Sequence, residues 1–189
     1  MRLGIVNHLG WAVVVTTDDD LSVVARRRIE LLEPGLPSAP IHHHGGTWPA
    51  HDDRDRTDDE LAELVDEVRA RVRAAVDRTF GDLEGDADGG IDLVAVPTWP
   101  EDFPASITTL RRPPYEARAD TVMYRQELAA GAARFGWRCH RFEARRVERE
   151  ARALLGDRAS SVLDEPRARL GPPWNVDHRT AVAGVVVAG

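Results

Sequence analysis

Ile91-Asp92-Leu93-Val94-Ala95-Val96 is short, nearly all apolar, and fenced by Gly89-Gly90 before it and Pro97 after it. A run of this kind suits a strand buried on both faces, and such a strand belongs in the middle of a parallel sheet. Helices must then cover the sheet above and below, which restricts the chain to an α/β architecture.

The segments around this strand fit that demand. Residues 3–32 read as three consecutive strands. Leu3-Gly4-Ile5-Val6 is an apolar run, Asn7-His8-Leu9-Gly10 supplies turn chemistry, and Trp11 to Thr17 is rich in β-branched residues. Asp18-Asp19-Asp20 makes a second turn before Leu21 to Leu32, so the start of the chain is an antiparallel meander. Residues 33–56 are broken by Pro34, Gly35, Pro37, Pro40, Gly45, Gly46 and Pro49 and read as a long loop.

Thr57-Asp58-Asp59-Glu60 is a capping box, a hydroxyl N-cap with Glu three residues on. Leu61, Leu64, Val65, Val68, Val72, Ala75, Val76 and Phe80 follow at helical spacing, and Gly81 reads as the stop. After the buried strand, five prolines between 97 and 118 mark a second long loop. A helix is expected over 119–135, capped by Asp120 or Thr121. A strand is expected over 137–142, a helix over 144–155 and a short helix within 160–170. Gly171-Pro172-Pro173-Trp174 is a rigid turn. Asp177 to Ala188 reads as a final helix, although its Val, Ala and Gly content leaves a strand open.

Composition narrows the function classes. The 189 residues form a single domain by length, 42% hydrophobic and 30% charged, with no apolar run near the length of a membrane span. Met1-Arg2 leads into a strand-like segment and not into a signal peptide, and Cys139 is the sole cysteine. A cytoplasmic protein is expected, without a disulfide framework or a cysteine-rich zinc site, and Cys139 is expected to be packed inside its strand. All 25 basic residues are arginine. The first 100 residues hold 10 arginines against 20 acidic residues, a net of −10; the remaining 89 hold 15 against 12, a net of +3. An overall charge of −7 argues against a sequence-independent DNA coat, while the C-terminal half can still present a phosphate-facing strip. No phosphate-binding glycine loop, dinucleotide fingerprint or Gly-x-Ser-x-Gly elbow is present.

The order of elements, with Gly4-Ile5-Val6-Asn7-His8-Leu9-Gly10-Trp11-Ala12 at the start and Gly171-Pro172-Pro173-Trp174 leading to Asp177-His178-Arg179 at the end, resembles the ribonuclease H-like superfamily in its Holliday-junction-resolvase branch. The resemblance implies an α/β fold: a mixed sheet of three antiparallel strands, then parallel strands, with helices on both faces. It also implies carboxylates on the first strand, the fourth strand and the last helix, holding two divalent ions, Mg²⁺ or Mn²⁺, that hydrolyse a phosphodiester. Carried onto this sequence, the ligand positions are Asp177 on the last helix, Glu101 and Asp102 after the fourth strand, and Val6 or Asn7 on the first. Valine cannot hold a metal, and Asn7 offers only a neutral carbonyl, so the carboxylate set is incomplete.

On that reading Asp177 and Glu101 are catalytic, with His8 as general base or extra ligand. Arg111, Arg112 and Arg179 are the phosphate contacts, and Tyr124, Glu127 and His178 stand nearby. Each residue also has a structural alternative. Asp177 suits a helix N-cap, His8 a local turn contact, and Tyr124 the core. Arg125 and Glu127 can pair with loop groups. The arginines from 145 to 152 suit an ordinary exposed helix face. His42-His43-His44, with His51 nearby, is either a metal-binding tract or a plain loop. Three functions stay open: a metal-dependent nuclease, a non-catalytic module that binds nucleic acid or protein, and a domain acting on a small phosphorylated metabolite.

Overall fold

A computed structural model of the chain describes residues 1–45, 56–87 and 89–189. His51, and with it the part of the first long loop that carries Gly46 and Pro49, lies outside the described residues.

Five strands among the described residues form one sheet: β1 (Arg2–Asn7), β2 (Trp11–Thr17), β3 (Val23–Glu30), β4 (Leu93–Pro97) and β5 (Arg138–Phe142). Their spatial order is β3-β2-β1-β4-β5. The β1, β2 and β3 segments form the antiparallel meander, and β4 and β5 run parallel to β1. The fully buried β4 strand lies between β1 and β5, as its apolar sequence demands. The register runs from Arg2↔Leu93 to Gly4↔Ala95, which brings Val6 to the level of Pro97. The first and fourth strands therefore end side by side.

Helices cover both faces. On one side lie α2 (Asp58–Asp86) and α4 (Glu116–Arg134), where Val72, Phe80, Met123, Tyr124 and Leu128 pack on Leu3, Ile5, Val94 and Val96. On the other lie α5 (Val147–Leu155) and α8 (Val176–Ala188), where Val147, Ala151, Ala181 and Val185 pack on Leu93, Ala95 and Phe142. Gly4 makes the second contact possible. A Cβ at that position would fall 2.0 Å from the carbonyl oxygen of Ala181. Only a glycine lets α8 lie against β1 at this distance.

Several boundaries differ from the sequence reading. Gly81 does not end α2, because Leu83 continues the apolar stripe into the core and offsets the cost of an interior glycine. Residues 40–44 and 107–110 of the two long loops form short helices, α1 (Pro40–His44) and α3 (Ile107–Leu110). The fourth helix begins at Glu116, so Asp120 lies inside it and caps no end of it; its carboxylate instead accepts the N–H groups of Ile41 and His42 at the start of α1. The 160–170 segment splits into α6 (Ala159–Leu163) and α7 (Pro166–Leu170), and the final segment is a helix. Cys139 is exposed and not packed inside, because β5 is an edge strand. No helix of the described residues is long and apolar enough to cross a membrane.

Candidate nucleic-acid interface

After β4 the chain turns onto the α4 face, and after β5 onto the α5 face. The connections diverge at the carboxyl ends of the parallel strands, where ligands of open α/β sheets bind. The residues that follow β1 lie beside the same edge. Side chains alternate along β1, so Leu3, Ile5 and Asn7 face α4, whereas Gly4, Val6 and then His8 face α8.

Asn7 closes the α4 side. It is 8% exposed. Its Oδ1 accepts from Arg125 Nε at 3.2 Å, and Arg125 Nη1 donates to the Thr98 carbonyl at 2.6 Å. One guanidinium therefore ties the end of β1 to the end of β4. Burial, first among the influences on it, pulls the Arg125 pKa down; Glu143 opposes that shift and Arg118 adds to it. The Asn7 Nδ2 is buried without an acceptor among the described residues. An orphaned amide of this kind costs about 1–3 kcal/mol.

His8 closes the α8 side. The β1–β2 hairpin turns through Gly10 at φ +84°, and His8 N–H donates to the Trp11 carbonyl at 2.8 Å. The imidazole stacks on Trp11 at 4.0 Å between centroids, and Arg28 lies 3.9 Å from the centroid of the same indole. His8 Nε2 is 3.1 Å from Asp177 Oδ2. Asp177 is not the N-cap of α8. That role belongs to Asn175, whose Oδ1 accepts from the N–H groups of Asp177 and His178. The Asp177 carboxylate is thereby left for His8. His178 is buried beside Trp174, with Nδ1 2.6 Å from Asn175 Oδ1, and its pKa is lowered by burial first and then by Arg26.

The other sequence candidates lie elsewhere. Glu101 is 89% exposed and pairs with Arg141 at 3.2 Å; Asp102 is exposed in the same turn. Arg111 is committed to Asp58 at 2.6 Å and to the Gly45 carbonyl at 2.8 Å. Arg112 is exposed on that loop, and Arg179 pairs with Glu148 at 3.3 Å. Tyr124 is a core residue whose hydroxyl donates to the Ser38 carbonyl at 3.0 Å. Glu127 is buried between Arg69 and Arg73 of α2, at 3.5 and 3.2 Å. The last two fasten helix to loop and helix to helix.

This arrangement does not suit a divalent ion. No group of three or more His, Cys, Asp and Glu side chains among the described residues is placed to hold a metal. Val6 packs among apolar side chains, and Asn7 already gives its oxygen to a guanidinium. Among the described residues the His42–His44 tract likewise belongs to no such group.

The edge does hold a cleft that sequence reading missed. It has a volume of about 790 Å³ and is lined by Pro97, Thr98, Arg118, Arg125, Glu143, Ala144, Arg145 and Arg146. Four arginines and one carboxylate line it, and Arg146 also pairs with Glu150 at 3.3 Å. Arg118 and Arg125 are two turns apart on α4, and Arg145 and Arg146 come from the loop between β5 and α5. The 145–152 series is thus not one helix face. Its first two members precede α5, while Arg152 is bound to Glu148 and Asp164. The available signal was the +3 balance of the C-terminal half.

No family model matches this sequence, and neither does any curated protein. Among solved structures, T. thermophilus RuvC in complex with Holliday junction substrate is similar at 12% identity and a TM-score of 0.49, over 98% of this chain and 89% of that one. A second Thermus thermophilus RuvC structure is similar at 13% identity and a TM-score of 0.46, over 98% and 90%.

Proposed function

We propose that this chain is a non-catalytic nucleic-acid-binding protein with a ribonuclease H-like sheet, which grips the phosphate backbone without a divalent metal. The arginine cleft at the ends of β4 and β5 carries this reading. A chain of net charge −7 gathers four guanidinium groups at the edge where such sheets receive ligands, with Glu143 on the same wall and Glu150 paired to Arg146. Guanidinium groups suit phosphate because their planar fork matches its oxygens and their charge does not titrate. Contacts of this type fix a strand in place and carry little sequence information, so binding should be salt-sensitive and sequence-tolerant.

A second reading, a Mg²⁺- or Mn²⁺-dependent nuclease, is favoured by one observation: the Asp177 carboxylate is held by His8 beside the end of β1. That reading needs Glu101, Asp102 and Asn7 to join Asp177 around the ions, whereas Glu101 pairs with Arg141 and Asn7 gives its oxygen to Arg125. The two readings part in one assay. Labelled single-stranded, duplex and branched oligonucleotides are incubated with the protein in EDTA, in Mg²⁺ and in Mn²⁺, and both anisotropy and strand length are recorded. The binding reading expects equal retention in all three buffers and intact strands. It also expects Arg145→Glu with Arg146→Glu to weaken retention at least tenfold. Cleavage that needs the metal and disappears in Asp177→Ala would establish the nuclease instead. Neither retention nor cleavage of any substrate would refute both.

A further inference from the structure

We propose that Arg125, aimed by Asn7, is a built-in phosphate-oxygen ligand in the cleft: a fixed guanidinium that takes the place of a metal at the ends of β1 and β4. The inference rests on the nucleic-acid reading for the source of the phosphate, but not for the site itself.

The donor inventory carries it. A guanidinium has five N–H groups. Arg125 spends one on Asn7 Oδ1 and one on the Thr98 carbonyl. The rest have no acceptor among the described residues, and the residue lines the cleft wall. Two acceptors from two neighbouring strand ends hold the guanidinium plane, so little side-chain freedom is left to lose on binding. Behind it, Asn7 must present oxygen to Arg125, because the flipped amide would set N–H against N–H. Its Nδ2 stays buried without an acceptor, on a residue that is nine-tenths buried and does not itself line the cleft. The unused groups on Arg125 and Asn7 are donors, and Glu143 is the one carboxylate among the lining residues. Unspent guanidinium donors take an oxyanion. Burial makes the charge expensive to keep, and Glu143 is the nearby anion that offsets it.

Asn7 is a positioning residue in this account, and its neutrality matters. An aspartate there would hold the guanidinium equally well and would neutralise it. Asn7→Asp is therefore expected to raise thermal stability, because a half-buried arginine gains a counter-charge, and to lower phosphate affinity. A role in packing alone would not move the two in opposite directions.

The experiment titrates the full chain with inorganic phosphate in EDTA, by thermal shift and by calorimetry, for the wild type, Asn7→Asp and Arg125→Lys. An oligonucleotide binding assay runs in parallel. Phosphate is expected to stabilise the wild type. Affinity should fall roughly tenfold or more in both variants, as when a charged hydrogen bond is lost. The melting temperature of Asn7→Asp without phosphate should lie above that of the wild type, and Mn²⁺ should not stabilise it. If Arg125→Lys fails to fold, Asn7→Asp decides alone. Equal phosphate responses in the wild type and Asn7→Asp, or none in the wild type, overturn the inference while oligonucleotide binding leaves the nucleic-acid reading standing. Stabilisation of Asn7→Asp by Mn²⁺ overturns it in favour of a latent metal site. Phosphate binding as expected with no oligonucleotide binding would leave the site and remove its proposed source.

Discussion

His8 and Asp177, separated by 169 positions in the chain, meet at 3.1 Å between Nε2 and Oδ2. The contact joins the end of the first strand to the first turn of the last helix. It exists because Asn175 takes over the capping and because Gly4 lets α8 lie on β1. A double-mutant cycle of His8→Ala and Asp177→Asn should return a coupling of about 0.5–1 kcal/mol by urea unfolding at neutral pH. A coupling near zero would show that the two side chains do not interact in solution.

Gly4→Ala tests the approach of α8 to β1. The added methyl would meet backbone and not the end of a flexible side chain, at 2.0 Å from the Ala181 oxygen. The cost should reach about 3 kcal/mol or more in denaturant unfolding. A loss below about 1 kcal/mol would mean that α8 can move off the strand.

Asp120 gives a pH signature. The residue is 3% exposed, and burial raises its carboxyl pKa from 3.8 to about 6 against the pull of the Ile41 and His42 N–H groups. A carboxyl with a raised folded pKa contributes stability that is complete below pH 4 and lost as the pH passes through 6, about 3 kcal/mol for this shift. Asp120→Asn cannot titrate. The stability of the wild type minus that of the variant should therefore fall between pH 4 and pH 6.5, as followed by urea unfolding. A difference that rises over this range contradicts the assignment.

Glu127→Gln separates architecture from binding. The change removes the charge that Arg69 and Arg73 share across α2 and α4, and stability should drop by about 1–2 kcal/mol. Oligonucleotide affinity should stay within twofold of the wild type, because Glu127 lies outside the arginine cleft. A tenfold loss of affinity in a folded variant would return Glu127 to the binding site.

The architecture was largely legible because its signals are local. The apolar run before Pro97 does become a strand buried on both faces, and Thr57 and Glu60 do form the capping box. The end of α2 was misread because a glycine stop signal lost to one more buried leucine, Leu83. The site was less legible. Asp177 and His8 were each singled out without any sequence sign that they touch. Arg125 was read only as a partner for loop groups. That reading is compatible with its bond to Thr98 but silent on Asn7, because partners 118 positions apart meet only through strand order. Arg118, Arg145 and Arg146 carry no motif at all; they become a cleft because two connections leave the sheet on opposite faces.

Phosphate gripped by arginine, and not through a metal, should bind with the same strength whether or not a divalent ion is chelated. The most direct measurement is the affinity for a labelled single-stranded oligonucleotide across a salt series, in EDTA and again in Mg²⁺. Three to four phosphate contacts predict a slope of log affinity on log salt of roughly −2 to −3, the same in both buffers. Binding confined to Mg²⁺, or a slope near zero, would contradict the account.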